Sequence, residues 1–261
     1  MIRIAHLADL HIGANGAGYT AGAAASAAPD ARSYRDVAAL FDRVLAGPTV
    51  GDGARSCGAV GRGTYDAVLI AGDVFDRAHG EKRGEELFLG FLSALAAQGT
   101  RVAVIAGNHD AENGVLWQLD LPAETSLLGR ARPETVTWPH LGVAVHGQSI
   151  SVADEQQDLS AAYPTPVPAL LNIGMLHTSL DGRDSARTCA PTTLTALEGF
   201  GYDYWALGHV HARAVLGSGR VAYAGGASSR STEEDVPRGF LEIEFSSNHP
   251  EVTAIDAVLV G

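Results

Sequence analysis

Five short runs of the chain are almost continuously apolar, at residues 2–8, 67–71, 101–106, 170–176 and 202–207. Such runs, with no polar alternation, are what strands buried on both faces of a sheet require. Each one stops at a polar group able to take a metal ion. The stops are Asp9-Leu10-His11, Gly72-Asp73, Gly107-Asn108-His109-Asp110, His177 and Gly208-His209-Val210-His211. Helix patterns lie between the first runs. Ser33 followed by Asp36 forms a capping arrangement for a helix reaching about Leu45. Residues 81–98 carry Leu87, Phe88, Phe91, Leu92 and Leu95 at helical spacing, with Gly99 as the C-terminal stop. Strand alternating with helix predicts βαβ units. From Val143 onward short strands dominate, among them 220–224, 239–245 and 252–259. The expectation is one α/β domain over 1–261, with two sheets, helices outside and no internal repeat.

In α/β sheets, ligands sit beyond the carboxyl ends of strands, where loops converge on a rigid frame. Three of the five ends carry a glycine just before the polar residue, which lets backbone and ligand crowd together. A lone histidine after a strand is weak support for a site, and so is an isolated DxH or HxH. Here five of the ten histidines fall at the five ends, which makes a metal centre the expected reading. Four imidazoles, two carboxylates and an amide exceed what one ion takes, so two ions are expected. Imidazole with carboxylate suits Mn²⁺ first, with Fe or Zn²⁺ as alternatives, over Ca²⁺ or Mg²⁺. Two ions about 3.5–4 Å apart need a bridging group, and Asp73, central in the order, is the candidate. Two divalent cations against two carboxylates leave a cationic pocket, matched to a phosphate ester.

The formal charge of −12 argues against a surface that coats nucleic acid, while leaving a local basic groove open. Cys57 and Cys189 are too few and too far apart for a disulfide framework. The N-terminus runs as a strand straight into Asp9 and lacks the core and cleavage site of a signal peptide. Residues 159–180 are uncharged, but Pro164, Pro166, Pro168, Asn172 and His177 make them a poor spanning helix. A cytoplasmic protein with no membrane contact is expected. The Gly-rich stretches 14–28 and 47–63 read as loops, the first a possible flap beside His11. His6 reads as a core or edge histidine and His146 as structural; His79, His140 and His249 have no supporting context.

The segments "DLH", "GDVFD", "GNHD", "LHTS" and "GHVH" resemble the five-motif signature of calcineurin-like metallophosphoesterases. Within that superfamily, "HLADLHIG", "VLIAGDVFDR" and "GNHD" are most similar to SbcD-type DNA repair nucleases. The resemblance implies a four-layer α-β-β-α sandwich of two mixed sheets. It implies one ion on Asp9, His11, Asp73 and His211, and a second on Asp73, Asn108, His177 and His209. His109 is left as a non-ligand general acid, and Asp76 as the group that fixes its tautomer. Arg77 resembles the phosphate-binding arginine of related protein phosphatases, and Arg230 is a further phosphate-contact candidate. The resemblance makes a DNA repair exonuclease the first expectation, with DNA as substrate and an SbcC-like ATPase as possible partner. Such nucleases carry a capping domain and an ATPase-gripping segment beyond the sandwich, and neither is evident before Gly261. A phosphodiesterase or phosphatase for nucleotides or other small esters is the alternative. A non-catalytic scaffold is disfavoured, because no ligand position is substituted.

Overall fold

The computed structural model describes residues 1–14, 31–48, 64–76, 82–181, 187–227, 237–246 and 251–260. In chain order the first half gives β1 (Ile2–Leu7), α1 (Ala31–Leu45), β2 (Ala67–Ala71), α2 (Lys82–Ala97), β3 (Arg101–Ile105), α3 (Asn108–Asn113) and β4 (Thr125–Leu127). The second half gives β5 (Glu134–Trp138), β6 (Val143–Gly147), β7 (Leu171–His177), α4 (Leu194–Gly199), β8 (Tyr204–Gly208), β9 (Ala214–Leu216), β10 (Val221–Tyr223), β11 (Gly239–Phe245) and β12 (Val252–Leu259).

Two six-stranded sheets result, ordered β12-β11-β1-β2-β3-β4 and β5-β6-β7-β8-β10-β9. Strands β1 to β4 run parallel, and β11 and β12 return antiparallel beside β1. In the second sheet β6, β7, β8 and β10 are parallel, with β5 and β9 antiparallel at its edges. All five apolar runs become strands, and they are the parallel, doubly covered ones. The short edge strands β4, β5 and β9 carry no comparable apolar run. In β5, Thr135 and Thr137 are exposed and only Trp138 is buried.

Strand pleating splits the apolar side chains into three layers. Leu7, Val68, Ile70, Val102 and Val104 face α1 and α2, meeting Leu40, Phe41, Phe88, Phe91 and Leu92. Ile4, Leu69, Ala71, Ala103 and Ile105 face the other way, against Val145, Ile173, Met175 and Tyr204 of the second sheet. Leu176, Trp205 and Leu207 point out of the second sheet beneath Leu197 of α4. That is the expected four-layer sandwich, with its outer layer over the second sheet thin: the six-residue α4, the 3-10 turn Leu159–Ala162 and loops. One boundary differs. Helix α1 begins at Ala31, so Ser33 lies in its first turn and its hydroxyl donates to the His11 carbonyl (3.3 Å) instead of capping. The 14–28 and 47–63 stretches lie almost wholly outside the described residues.

His6 and His146 are structural. His146 lies between Thr135 Oγ1 (2.8 Å) and Asn172 Oδ1 (3.0 Å), stacked on Tyr202. His6 is fully buried, with Tyr204 Oη at 3.0 Å and the Leu207 carbonyl at 3.2 Å. Burial lowers its pKa to about 3. Between pH 6.5 and that value the unfolded chain binds a proton that the folded chain refuses, so His6 costs stability as pH falls. At about 1.4 kcal/mol per unit this amounts to about 2 kcal/mol between pH 7 and pH 5. Urea titrations of wild type and His6→Gln at both pH values should show the stability gap between them shrinking by that amount at pH 5. An unchanged gap would place a charged, solvated His6 in the folded state.

Candidate metal centre

The parallel register brings the carboxyl ends of β1, β2 and β3 level, and those of β7 and β8 level beside them: Leu7 pairs with Ile70, Ile70 with Val104, and His177 with Gly208. Beyond the strands the pairing continues. The Asp9 N–H donates to the Gly72 carbonyl (3.0 Å), and the His11 N–H to the Asp73 carbonyl (3.0 Å). The His209 N–H donates to both carboxylate oxygens of Asp9 (3.1 and 3.0 Å), tying the second sheet to the first. Glycine permits this closeness. A Cβ on Gly107 would overlap the Asp73 carboxylate and backbone, and one on Gly208 would overlap the Ala71 carbonyl.

Four of the converging residues hold strained backbone. Asp9, His11, Asp73 and His209 have φ of 51°, 45°, 53° and 96°. Seven described non-glycine residues have positive φ, so most of this strain sits at one place. Each such residue costs about 1–3 kcal/mol, which persists only where surrounding structure over-determines it.

The side chains crowd acceptor atoms. Asp73 Oδ2 lies 3.5 Å from His177 Nε2, 3.7 Å from His11 Nε2 and 3.9 Å from His109 Nε2. Asp9 Oδ1 is 4.0 Å from Nε2 of both His11 and His211, and those two nitrogens are 3.1 Å apart. Asn108 Oδ1 sits 3.1 Å from His177 Nε2 and 3.0 Å from His209 Nδ1. The outer ring nitrogens are occupied elsewhere: His177 Nδ1–H donates to the Ala71 carbonyl (2.9 Å), and His209 Nε2–H to the Arg187 carbonyl (2.8 Å). The inner nitrogens therefore face oxygen atoms across gaps that a proton or a cation can bridge favourably. The donor atoms of Asp9, His11 and His211, and those of Asp9, Asp73 and His177, each lie within 4.8 Å of one another and could hold an ion.

Electrostatics follow the same pattern. Burial pushes the Asp73 carboxyl up, but the adjacent His177 and His109 outweigh it and hold it well below the usual range. Burial opposes charge on His177, and Asp73 overrides it, raising that imidazole to about 9. Burial, with His177 beside it, lowers His209 to about 4. His109, second residue of α3 and almost fully buried, places Nδ1 2.9 Å from Asp76 Oδ1.

All nine described candidates, Asp9, His11, Asp73, Asp76, Asn108, His109, His177, His209 and His211, are thus brought into one cluster. Arg77 and Arg230 lie outside the described residues. Sequence reading missed three supporting groups. The buried Asp110 carboxylate accepts N–H bonds from Val74 (3.0 Å), Phe75 (2.9 Å) and Gly107 (2.9 Å), tying the β2 loop to α3. Asn113 Nδ2 donates to the Phe75, Asp76 and His109 carbonyls (3.1, 3.2 and 2.8 Å), fixing the loop that carries Asp76. Cys189, buried, brings its thiol within 4.8 Å of the His177 and His209 ring nitrogens. Asp110, visible in "GNHD", is the one a reader of the sequence could have found.

Paired mixed sheets with an Asp–His–Asn cluster across their carboxyl ends define the metallophosphoesterase class of hydrolases. The family model for calcineurin-like phosphoesterases matches residues 2–213, and the chain belongs to that family. Its members act on phosphate esters and typically bind a pair of divalent metal ions. The chain is 31% identical over 187 residues to the uncharacterized metallophosphoesterase YhaO of Bacillus subtilis, a match that covers 70% of this chain and 46% of that protein. It is 26% identical over 230 residues to the DNA double-strand break repair protein Mre11 of Methanopyrus kandleri, covering 80% and 44%. The SbcD component of the SbcCD nuclease of Bacillus subtilis is 34% identical over 103 residues, covering 38% and 24%. The chain thus spans about half, or less, of the length of the curated relatives it matches. No helix among the described residues is long and apolar enough to cross a membrane.

Proposed function

We propose that this chain is a binuclear metal-dependent phosphodiesterase acting in the cytoplasm on DNA, a nuclease of the SbcD and Mre11 kind. One observation carries the reading: Asp73 Oδ2 is shared by two groups of donor atoms, lying 3.7 Å from His11 Nε2 and 3.5 Å from His177 Nε2. Asp9, His11, Asp73 and His211 would hold one ion, and Asp73, Asn108, His177 and His209 the other. Two divalent cations there, Mn²⁺ first with Fe or Zn²⁺ as alternatives, lower the pKa of water and neutralise charge on the phosphate. Asp73 would serve both positions, one carboxylate oxygen toward the cluster while the other accepts the His109 N–H (2.8 Å). Ala71 and Arg187 carbonyls hold His177 and His209 in the tautomers that ligation needs. His109 is the proton donor to the leaving oxygen, held in orientation by Asp76. The DNA-repair relatives favour a polynucleotide substrate, and an SbcC-like ATPase is the partner that reading implies.

The test is direct. Protein loaded with Mn²⁺ is assayed on linear single-stranded DNA, a chromogenic phosphodiester and a chromogenic monoester, with metal content measured in parallel. Two ions per chain and degraded DNA are expected. DNA left intact while small esters are cleaved would replace the nuclease with a small-ester phosphodiesterase.

A further inference from the structure

We infer that Arg187 is a substrate-positioning residue whose guanidinium takes the phosphate flanking the scissile one, so that the site favours a polynucleotide over an isolated ester. The inference rests on the nuclease reading and names the feature of the substrate that the site grips. The Arg187 carbonyl accepts the His209 Nε2–H (2.8 Å), which pins this residue beside the cluster. Nη1 lies 3.5 Å from Glu112 Oε1, and Nη2 3.4 Å from Asp154 Oδ1. Glu112 follows His109 by three residues on α3, so the two share a helix face about 4.5 Å apart along the axis. The guanidinium therefore stands beside α3, at the residue one turn beyond His109. On the nuclease reading a small ester bound at Asp73 would end short of it, and a neighbouring nucleotide would reach it.

These two carboxylate partners are held loosely. Both ion pairs are long, the Arg187 side chain is 33% exposed, and that of Asp154 is 75% exposed. Pairs of this kind contribute little in water. A phosphodiester offers two oxygens to the guanidinium fork, a stronger and more directional contact. In a chain of net charge −12, attraction of a polyanion depends on local cations of this sort.

Arg187→Gln keeps the backbone carbonyl that orients His209, and Arg187→Lys keeps a charge without the fork. Binding of a fluorescein-labelled phosphorothioate oligothymidylate to the Mn²⁺-loaded proteins is followed by anisotropy across a KCl series. Hydrolysis of unmodified DNA and of a chromogenic phosphodiester is measured alongside. Arg187→Gln should weaken oligonucleotide binding about tenfold at low salt. It should also flatten the log Kd against log [KCl] line by about 0.7, the share of one single-strand phosphate. Arg187→Lys should restore the slope but not the full affinity. The loss in kcat/KM on DNA should exceed that on the small diester at least threefold. An Arg187→Gln line superimposed on wild type would overturn the inference while leaving the nuclease reading intact, as would equal losses on DNA and diester. Wild-type protein that cleaves the diester but not DNA would instead defeat the nuclease reading itself.

Discussion

Asp73→Asn should empty both metal positions and cut phosphodiesterase turnover about 1,000-fold or more. Two ions stabilising a phosphoryl transition state supply several kcal/mol, and each 1.4 kcal/mol is a factor of ten. Removing a group that merely supports a ligand already costs 10- to 100-fold in metal affinity, and Asp73 is proposed to touch both ions. The substitution is chemically narrow. An asparagine Oδ1 can still accept the His109 N–H that Asp73 Oδ1 now receives at 2.8 Å, so α3 stays docked. What disappears is the negative charge that holds His177 up at about 9 and that a cation between the imidazoles would face. Elemental analysis after Mn²⁺ loading should give about two ions in wild type and close to none in the variant. Thermal unfolding supplies a second reading: Mn²⁺ should raise the Tm of wild type by mass action and leave that of Asp73→Asn unmoved. A variant that keeps both ions would remove Asp73 from its central place.

Much of this centre was legible in the sequence because two physical constraints coincide there. A strand covered on both faces is mostly apolar, so its end is marked where polar, charged and imidazole side chains gather, as at Asp9, Asp73 and His177. Parallel pairing then puts those ends side by side, whatever their separation in the chain. The half-exposed edge strands escaped because packing asks little of them: Glu134-Thr135-Val136-Thr137-Trp138 buries only its last residue. The supporting groups escaped for a different reason. His209 is oriented by a backbone carbonyl 22 residues away, and Asp110 reaches across 36 residues to the Val74 N–H. No local pattern encodes such contacts. The positive φ of Asp9, His11, Asp73 and His209 was equally invisible, since Asp and His, though enriched there, take ordinary backbone at most positions. The N-terminal capping expected of Ser33 failed because α1 already begins at Ala31, and the Ser33 hydroxyl goes to the His11 carbonyl instead.

His109→Asn should separate proton transfer from metal binding, with an effect that depends on the leaving group. His109 is the imidazole of "GNHD", buried at the start of α3, and its Nε2 stands 3.9 Å from the Asp73 oxygen on which the other rings converge. Its Nδ1 stands 2.9 Å from Asp76 Oδ1. Burial opposes charge on Asp76, but His109 and then His11 hold its carboxyl far below the usual range. Such a histidine has one nitrogen beside a carboxylate and the other facing the cluster, the arrangement a general acid needs. Losing it should cost about 100- to 10,000-fold in kcat when the departing oxygen is a poor leaving group, as in DNA. A nitrophenolate leaves without help, so hydrolysis of a nitrophenyl phosphodiester should fall far less. Plotted against leaving-group pKa, log kcat should drop more steeply for His109→Asn than for wild type, while both proteins carry two Mn²⁺ ions. Parallel lines, with metal lost in proportion to activity, would make His109 a third imidazole on the ion that His11 and Asp73 share, and the leaving oxygen would then have to draw its proton from water.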